Sequence, residues 1–339
     1  MFPLSLRQSV LALMCFIPVS AKADNGSLGT MGIYLENDAV GESDGHYSSG
    51  LKLSWSSPDL TDLKDCPYPS PLLGALHLYP DIDHSDYRKN VVYGIGQNIY
   101  TPLDTDTAKL VLDDRPYAGW LYLAFGLVWK TPTERNSLAL DIGVVGPWAL
   151  GEETQGLVHG WLALDNSQGW DKQLDNELGI ILSYEKTWRL PVHVDPTGHE
   201  WELLPHVGVA LGNVRTSANI GGEIRWGKNL PQDFGTSQLG ATSTTSTPFD
   251  HTSGVEKWGF YIFTRADAHA VAHNIFLDGN TFSNSHSVDR NIFVADLSIG
   301  FAITRGNTKL AYAHVFRTRE FRGQYEAEIF GTISLIRTL

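Results

Sequence analysis

The sequence predicts an all-β fold: a transmembrane antiparallel β-barrel of about twelve strands with a short helix in an extracellular loop. Three observations support this. Stretches on the scale of ten residues alternate between apolar and polar residues and are separated by Gly- or Pro-containing turns. A secretory signal opens the chain, and no later segment is apolar enough for a membrane helix. The composition, with 33 Gly and 11% aromatic residues, suits curved strands and interfacial aromatic girdles.

The alternating stretches predict twelve strands, an even number as bacterial outer-membrane barrels require. They are Met31–Asn37, Gly50–Ser56, Val91–Tyr100, Leu121–Trp129, Ser137–Val145, Leu178–Trp188, Leu203–Gly212, Ser217–Trp226, Phe260–Ala272, Ile292–Thr304, Lys309–Arg317 and Tyr325–Ile336. In Phe260–Ala272 one face is small or apolar, while the other turns polar partway along. A half-exposed soluble sheet gives the same pattern, and the signal peptide with the even strand count favours the barrel.

Residues 1–23 are predicted to be a signal peptide, and residues 24–339 a single outer-membrane barrel domain. The apolar run Ser9 to Pro18 is too short to span a bilayer, and Ala21-Lys22-Ala23 forms a small-x-small cleavage site. Cleavage would discard Cys15 and leave Cys66 as a lone cysteine, so no internal disulfide is expected.

Three segments interrupt the strand pattern and are interpreted as loops. Residues 59–88 are rich in Pro, Asp and Tyr, and residues 231–255 are rich in Ser and Thr, which predicts a mobile extracellular loop. Residues 150–176 differ because Leu157, Trp161 and Leu164 have helical spacing. They predict a short helix that folds back against the barrel.

The formal net charge of −13 argues against a nucleic-acid partner, because phosphate binding needs a basic surface. An acidic protein that faces anionic lipopolysaccharide would need divalent cations between the two surfaces. The expected partners are therefore the membrane and its lipids.

The first candidate cluster lies on the hairpin of the first two strands. Asn37, Asp38 and Ser48 can approach one another near its tip, beside Asp44 and His46. Asn and Asp offer hard oxygen ligands that suit Ca²⁺. The alternative is that these residues only form a turn.

Two further candidate clusters lie elsewhere in the chain, one before the fourth predicted strand and one after the fifth. In Asp113-Asp114-Arg115, an acid and a base that point into a lumen usually form an ion pair that stiffens the barrel. Gln155 and His159 lie one helical turn apart, so both would face the same way. An imidazole ordinarily titrates near neutrality, so a His on a helix over a barrel mouth suits a general base. The alternative for a lone loop His is a solvated spectator.

Several segments, in collinear order over most of the chain, resemble the LpxR-type lipid A 3-O-deacylases of Gram-negative outer membranes. They are YLENDAVGESDGHYSSGLKLSW, GQNIYTPLD, DDRPYAGWLY, DIGVVGPWALGEETQGLVHGWL, GWDKQLDNE and HNIFLDGN. The resemblance implies a barrel of about twelve strands whose active site lies at the outer-leaflet end. It also implies Ca²⁺-dependent hydrolysis of the ester that holds the acyloxyacyl chain at the 3′ position of lipid A.

The resemblance also implies roles for individual residues. His159 matches the catalytic His, and Asn37, Ser48 and Gln155 match further catalytic positions, with Ser48 standing where the family often has Thr. Asp38 is implied as a metal ligand. Substrate contacts are assigned to Lys109 and Arg115, although some members carry a Lys-Arg pair where this chain has only Lys109.

The sequence therefore predicts a carboxylic ester hydrolase of the outer membrane that acts on lipid A with Ca²⁺, and a monomer is expected. A metal-assisted water is preferred as nucleophile. The alternative enzyme is an outer-membrane phospholipase with a serine nucleophile, for which Ser48 and Ser287 (beside His286) are the candidates. The non-enzymatic alternatives are a passive pore or structural barrel and an inactive family member that only binds lipopolysaccharide.

Overall fold

The computed structural model describes residues 28–38, 47–60, 72, 86–162, 166–236 and 257–339. The predicted signal peptide, Asp44, His46 and Cys66 lie outside the described residues. Within these ranges, no helix is long and apolar enough to cross a bilayer.

The described residues form one antiparallel sheet of thirteen strands, of which one has only two residues. The strands are β1 (Thr30–Asn37), β2 (Tyr47–Ser56), β3 (Arg88–Tyr100), β4 (Ala118–Lys130), β5 (Glu134–Val145), β6 (Glu177–Trp188), β7 (His193–Val194), β8 (Glu200–Gly212), β9 (Arg215–Lys228), β10 (Trp258–Asn274), β11 (Phe293–Arg305), β12 (Thr308–Arg317) and β13 (Glu328–Thr338). β1 pairs with β13, which closes the sheet, and β6 pairs directly with β8 beside the short β7. The predicted barrel of about twelve strands is confirmed.

Two α-helices accompany the sheet in the described residues. α1 (Gly151–Leu162) lies between β5 and β6 and confirms the short helix predicted within residues 150–176. α2 (Ile275–Asp278) is a single turn after β10 that the sequence pattern did not predict. Asn274 caps it, because its side-chain oxygen accepts a hydrogen bond from the backbone N–H of Phe276.

Alternation along each strand separates a lumen face from a lipid face. In β10, Tyr261 and Phe263 are buried inside the barrel, whereas Phe260 and Ile262 are exposed on its outer wall. In β1, Tyr34 is buried and Ile33 is exposed in the same way. Because successive strand residues point to opposite sides, the predicted apolar-out pattern of a membrane wall is present.

The two ends of the barrel differ in their connections. One end, which we call the helix rim, carries α1 and the strand ends at Asn37, Tyr100 and Val145. The other, the terminal rim, brings Leu28 and Leu339 together through a backbone hydrogen bond of 2.9 Å. The tight turns at residues 131–133 and 306–307 also lie at the terminal rim. The helix that the sequence predicted in an extracellular loop is α1, so we take the helix rim as the extracellular side.

Residues 231–236 lie at the terminal rim and fold into the lumen. Asp233 Oδ1 is 2.6 Å from Arg225 Nη1, and Asp233 Oδ2 is 2.5 Å from Lys309 Nζ. Arg225 also pairs with Glu202 on β8. All four side chains are buried, so ionic groups fill this part of the lumen. A filled lumen is contrary to the passive pore that the sequence left open.

The prediction that residues 231–255 form an extracellular loop is wrong. β9 runs from the helix rim to the terminal rim, and β10 starts at the terminal rim, so their connection lies on the side opposite α1. Its described part, residues 231–236, is folded into the barrel. The remainder of that segment lies outside the described residues.

Candidate active site

The first candidate cluster lies where β1 ends at the helix rim. Asn37, the last residue of β1, pairs with Ser49 on β2 and with Gly331 on β13. By alternation it belongs to the same outer face as Ile33. Asp38 follows in a bend, and both residues are half-buried. β1 and β2 pair as the predicted hairpin requires, and Asn37 belongs to the lipid side of the wall. Residues 39–46, which connect the two strands, lie outside the described residues.

Ser48 lies at the start of β2, one residue from the strand partner of Asn37. The register between β2 and β3 shifts between Tyr47 and Ser49. A β-bulge of this kind adds one residue and changes the direction in which nearby residues face. The backbone therefore brings Ser48 beside Asn37, as the sequence predicted.

The turn before α1 rests on the outer face of β3 and β4. The Gln97 side-chain amide donates to the carbonyl oxygen of Ala149 at 2.6 Å. A Cβ added to Gly119 would come within 3.0 Å of the Ala149 Cβ, so glycine permits the close approach. Gly119 shares its face of β4 with the exposed Leu123. α1 thus begins against the outer wall, as expected of a helix that folds back against the barrel, and not over the barrel mouth where a His was considered as a base.

Gln155 and Trp170 hold α1 in place. The Trp170 indole Nε1 donates to Gln155 Oε1 at 2.8 Å. The Trp170 ring is 3% exposed and packs on Tyr117, with ring centroids 5.0 Å apart. A Cβ on Gly151 would approach this indole to 2.7 Å. Gln155 is therefore engaged within the protein. Its partner Trp170 was not predicted as a functional residue, and the only signal for it is its place in the segment GWDKQLDNE.

His159 is half-buried and lies one helical turn after Gln155. Residues four apart share a helix face, so His159 lies on the side of α1 that Gln155 turns toward the barrel. Both polar residues sit on the helix that leans on β3 and β4.

The strand register relates α1 to the first cluster. Asn37 pairs with Ser49, Ser49 with Ile99, and Ile99 with Gly119, which supports the turn before α1. Neighbouring strands lie about 4.8 Å apart, so three steps cover about 14 Å of wall. Asp38 and His159 therefore lie at the same rim, not at opposite ends of the cylinder.

The two candidate substrate residues have different surroundings. Lys109 is exposed on the connection between β3 and β4. That connection is tied to the segment after α1, because the backbone N–H of Gln168 donates to the Thr105 carbonyl at 2.9 Å. Lys109 thus lies at the helix rim with a side chain open to solvent.

Arg115 is only 1% exposed and forms an ion pair with Glu320 at 2.5 Å. Its guanidinium lies over the Tyr100 ring, 5.5 Å from the centroid, and over the Phe321 ring at 5.8 Å. Burial alone would raise the pKa of Glu320, but Arg115, Arg317 and Arg215 outweigh burial and hold that pKa at about 2. This placement supports the ion-pair interpretation of Arg115.

The residues of the first cluster have the donor chemistry that Ca²⁺ prefers. Asn37 supplies an amide oxygen and Asp38 a carboxylate, both of which are hard ligands. Among the described residues, no group of three or more His, Cys, Asp and Glu side chains could hold a metal ion. Asp44 and His46, on the same hairpin, lie outside that part of the chain. Ca²⁺ and its ligand Asp38 stay predictions.

The geometry gives little support to Ser287 as the nucleophile of a phospholipase. Ser287 is exposed on the connection between β10 and β11. Nε2 of its neighbour His286 lies 2.7 Å from the Asp114 carbonyl oxygen, which only an N–H can bind. That nitrogen is therefore not available to accept a proton from a serine.

Comparisons with known proteins agree with this architecture. A sequence model of a protein family described as "Outer membrane protein LpxR" matches residues 9–339. A comparison with curated proteins gives no match. Among solved structures, LpxR from Salmonella typhimurium matches with a TM-score of 0.71 and 21% identity, over 91% of this chain and 99% of that one.

More distant barrels also match. The β domain of the Bordetella autotransporter BrkA has a TM-score of 0.44 and 9% identity, over 91% of this chain and 98% of that one. The likeness to the Salmonella structure concerns the fold, whereas the family match spans nearly all of the sequence. The chain belongs to the family of outer membrane protein LpxR.

Proposed function

We propose that this chain hydrolyses the ester that links the acyloxyacyl chain to the 3′ position of lipid A, with Ca²⁺ as cofactor. Membership of the LpxR family supports the broader part of the proposal, an outer-membrane enzyme that modifies lipid A. The observation that carries the proposal is the docking of α1 on the outer wall, through Gln97 and Gly119. Asn37 and α1 then lie on the lipid side of the wall and not in the lumen, so a lipid ester can reach them.

His159 would act as general base and then as general acid. It accepts a proton from a water molecule as the water oxygen bonds to the acyl carbonyl carbon. The sugar oxygen leaves the tetrahedral intermediate and takes that proton, which yields a free acyloxyacyl acid and a lipid A hydroxyl. A positioned acid–base group of this kind typically contributes about 10²–10⁴-fold in rate.

Asn37 and Ser48 would assist the same step in different ways. The Asn37 amide donates to the developing oxyanion, and the Ser48 hydroxyl orients the attacking water. Removing one such donor typically costs about 3–4 kcal/mol of transition-state stabilisation. Asp38 would hold Ca²⁺, which when bound supplies Lewis-acid polarisation of the ester carbonyl.

Gln155 and Lys109 would support the reaction from the helix rim. Since Gln155 Oε1 accepts from Trp170, its proposed role is to position α1 and with it His159. Lys109 is exposed and cationic, so it would attract the phosphates of lipid A. A substrate contact by Arg115 remains a prediction from the resemblance. The monomeric state is likewise a prediction.

Mass spectrometry of lipid A tests the function. Purified wild-type protein with Ca²⁺ should remove one acyloxyacyl group, and a chelator should stop the reaction. His159→Ala should abolish the mass change, while His193→Ala, exposed at the terminal rim, should not. An inserted His159→Ala protein that deacylates at the wild-type rate would overturn the proposed base.

A further inference from the structure

A groove of about 680 Å³ lies on the wall of β9, β10 and β11, toward the helix rim. Small side chains line it on the lipid face: Ala218, Ala268, Ala270 and Ala295. Ile220 and Phe293, which are 64% and 79% exposed, border it. Its volume lies within the range of ligand-binding clefts, about 300–1,000 Å³.

The groove lies on a different part of the wall from α1. β10 is six strands from β3 when the strands are counted through β4, β5, β6, β8 and β9. Its nearer edge, on β11, is three strands from β1 when the strands are counted through β12 and β13. A lipid in this groove therefore lies outside the stretch of wall from β1 to β4 that carries the candidate residues.

The end of the groove nearest the helix rim is polar and basic. Asn291, Thr318 and Arg319 line it there. Thr318 Oγ1 accepts from the backbone N–H of Ala295 at 2.9 Å, and the Asn291 amide donates to the Arg319 carbonyl at 2.7 Å. These bonds fix the backbone beside the groove. The Arg319 side chain is exposed, and it makes no ion pair with the part of the chain that the structure describes.

We propose that this groove is a second lipid site, which holds one acyl chain of a lipid A molecule with a lipid A phosphate on Arg319. An apolar channel beneath an exposed guanidinium complements a chain beneath an anionic headgroup. Lipid A is the expected occupant because the groove lies in the half of the wall next to the helix rim, on the extracellular side. A second copy of the chain is less suited, because a twofold contact on this face would bring each Arg319 toward its own counterpart.

Native mass spectrometry with purified lipid A tests the site, in a His159→Ala background so that no lipid is turned over. Ala268→Leu fills the groove, and Arg319→Gln removes its charge. Both should lower the occupancy of one lipid A adduct about tenfold, as expected for a lost charge-assisted contact or a blocked chain. Thr264→Leu, farther down the lipid face of β10, and Arg322→Gln, exposed in the same loop as Arg319, are the matched controls.

The inference does not depend on hydrolysis, since only the number of retained lipids is measured. Either groove substitution should remove one bound lipid A from the His159→Ala protein, whether that protein retains one lipid or two. Equal retention in all variants would overturn the proposal, as would equal retention of lipid A stripped of its phosphates. Preferential retention of phosphatidylglycerol, or a dimer that either groove substitution dissociates, would also contradict it.

Discussion

The hydrogen bond between Trp170 and Gln155 predicts how α1 controls activity. Trp170→Phe keeps the ring that packs on Tyr117 but removes the N–H donor 2.8 Å from Gln155 Oε1. A buried acceptor left without its donor costs about 1–3 kcal/mol. Gln155→Leu leaves the indole N–H without its partner and should cost a similar amount. The pair therefore contributes to the docking of α1, and through it to the position of His159.

The assay is the rate of lipid A deacylation, with kcat and KM measured separately. If the lost free energy lowers the fraction of molecules with α1 docked by the corresponding factor, each substitution should lower kcat about tenfold, because 1.4 kcal/mol corresponds to a factor of ten. KM should change little. The double variant should lose no more than either single one, since both remove the same bond. Trp148→Phe, in the exposed turn before α1, is the matched control and should retain wild-type kcat.

A direct catalytic role for Gln155 gives a different pattern. Gln155→Leu would then lower kcat by about 10²–10³-fold whatever residue stands at 170. Trp170→Phe alone would be nearly silent. That result would refute the positioning role drawn from the hydrogen bond.

Three further predictions concern the helix rim. Arg115→Met should destabilise the barrel by about 3–5 kcal/mol, measured by unfolding in detergent, because it leaves the buried Glu320 carboxylate without its closest cation; a loss below 1 kcal/mol would contradict the ion-pair role. The folded pKa of Glu320, about 2, lies below the ordinary value for Glu, so its contribution to stability should be complete above about pH 5 and lost as the pH falls toward 2. Glu320→Gln should flatten the stability profile in that window, and an unchanged slope would count against it. Lys109→Gln should raise KM for lipid A several-fold without changing kcat, whereas Arg322→Gln should leave both unchanged; equal effects would remove Lys109 from the substrate site.

The strands could be predicted because their pattern is local. Alternation such as that of Phe260 and Tyr261 records which side of a wall each residue faces, and it needs no knowledge of the partner strand. The helical spacing around Leu157 predicted α1 for the same reason. The ends of most strands extend a few residues beyond the predicted bounds, because cross-strand hydrogen bonds continue after the alternation fades.

The sequence predicted that the helix folds back against the barrel, but not which strands it contacts. Those contacts depend on Gln97 and Gly119, which lie more than 25 residues from the helix and have no pattern that relates them to it. The ion pair between Arg115 and Glu320 joins residues 205 positions apart. The filling of the lumen by Asp233 similarly depends on cations from two distant strands. Contacts of this kind are set by the closed barrel, not by neighbouring residues.

The calcium requirement of lipid A deacylation, measured for wild type and for Asp38→Asn, tests most directly whether the end of β1 and α1 form one catalytic site. We expect Asp38→Asn to need at least about tenfold more Ca²⁺ for half-maximal rate, since a charged ligand contact is worth about 1.5–3 kcal/mol. His159→Ala should stay slow at every Ca²⁺ concentration. An Asp38→Asn protein with the wild-type Ca²⁺ requirement and the wild-type rate would contradict the account.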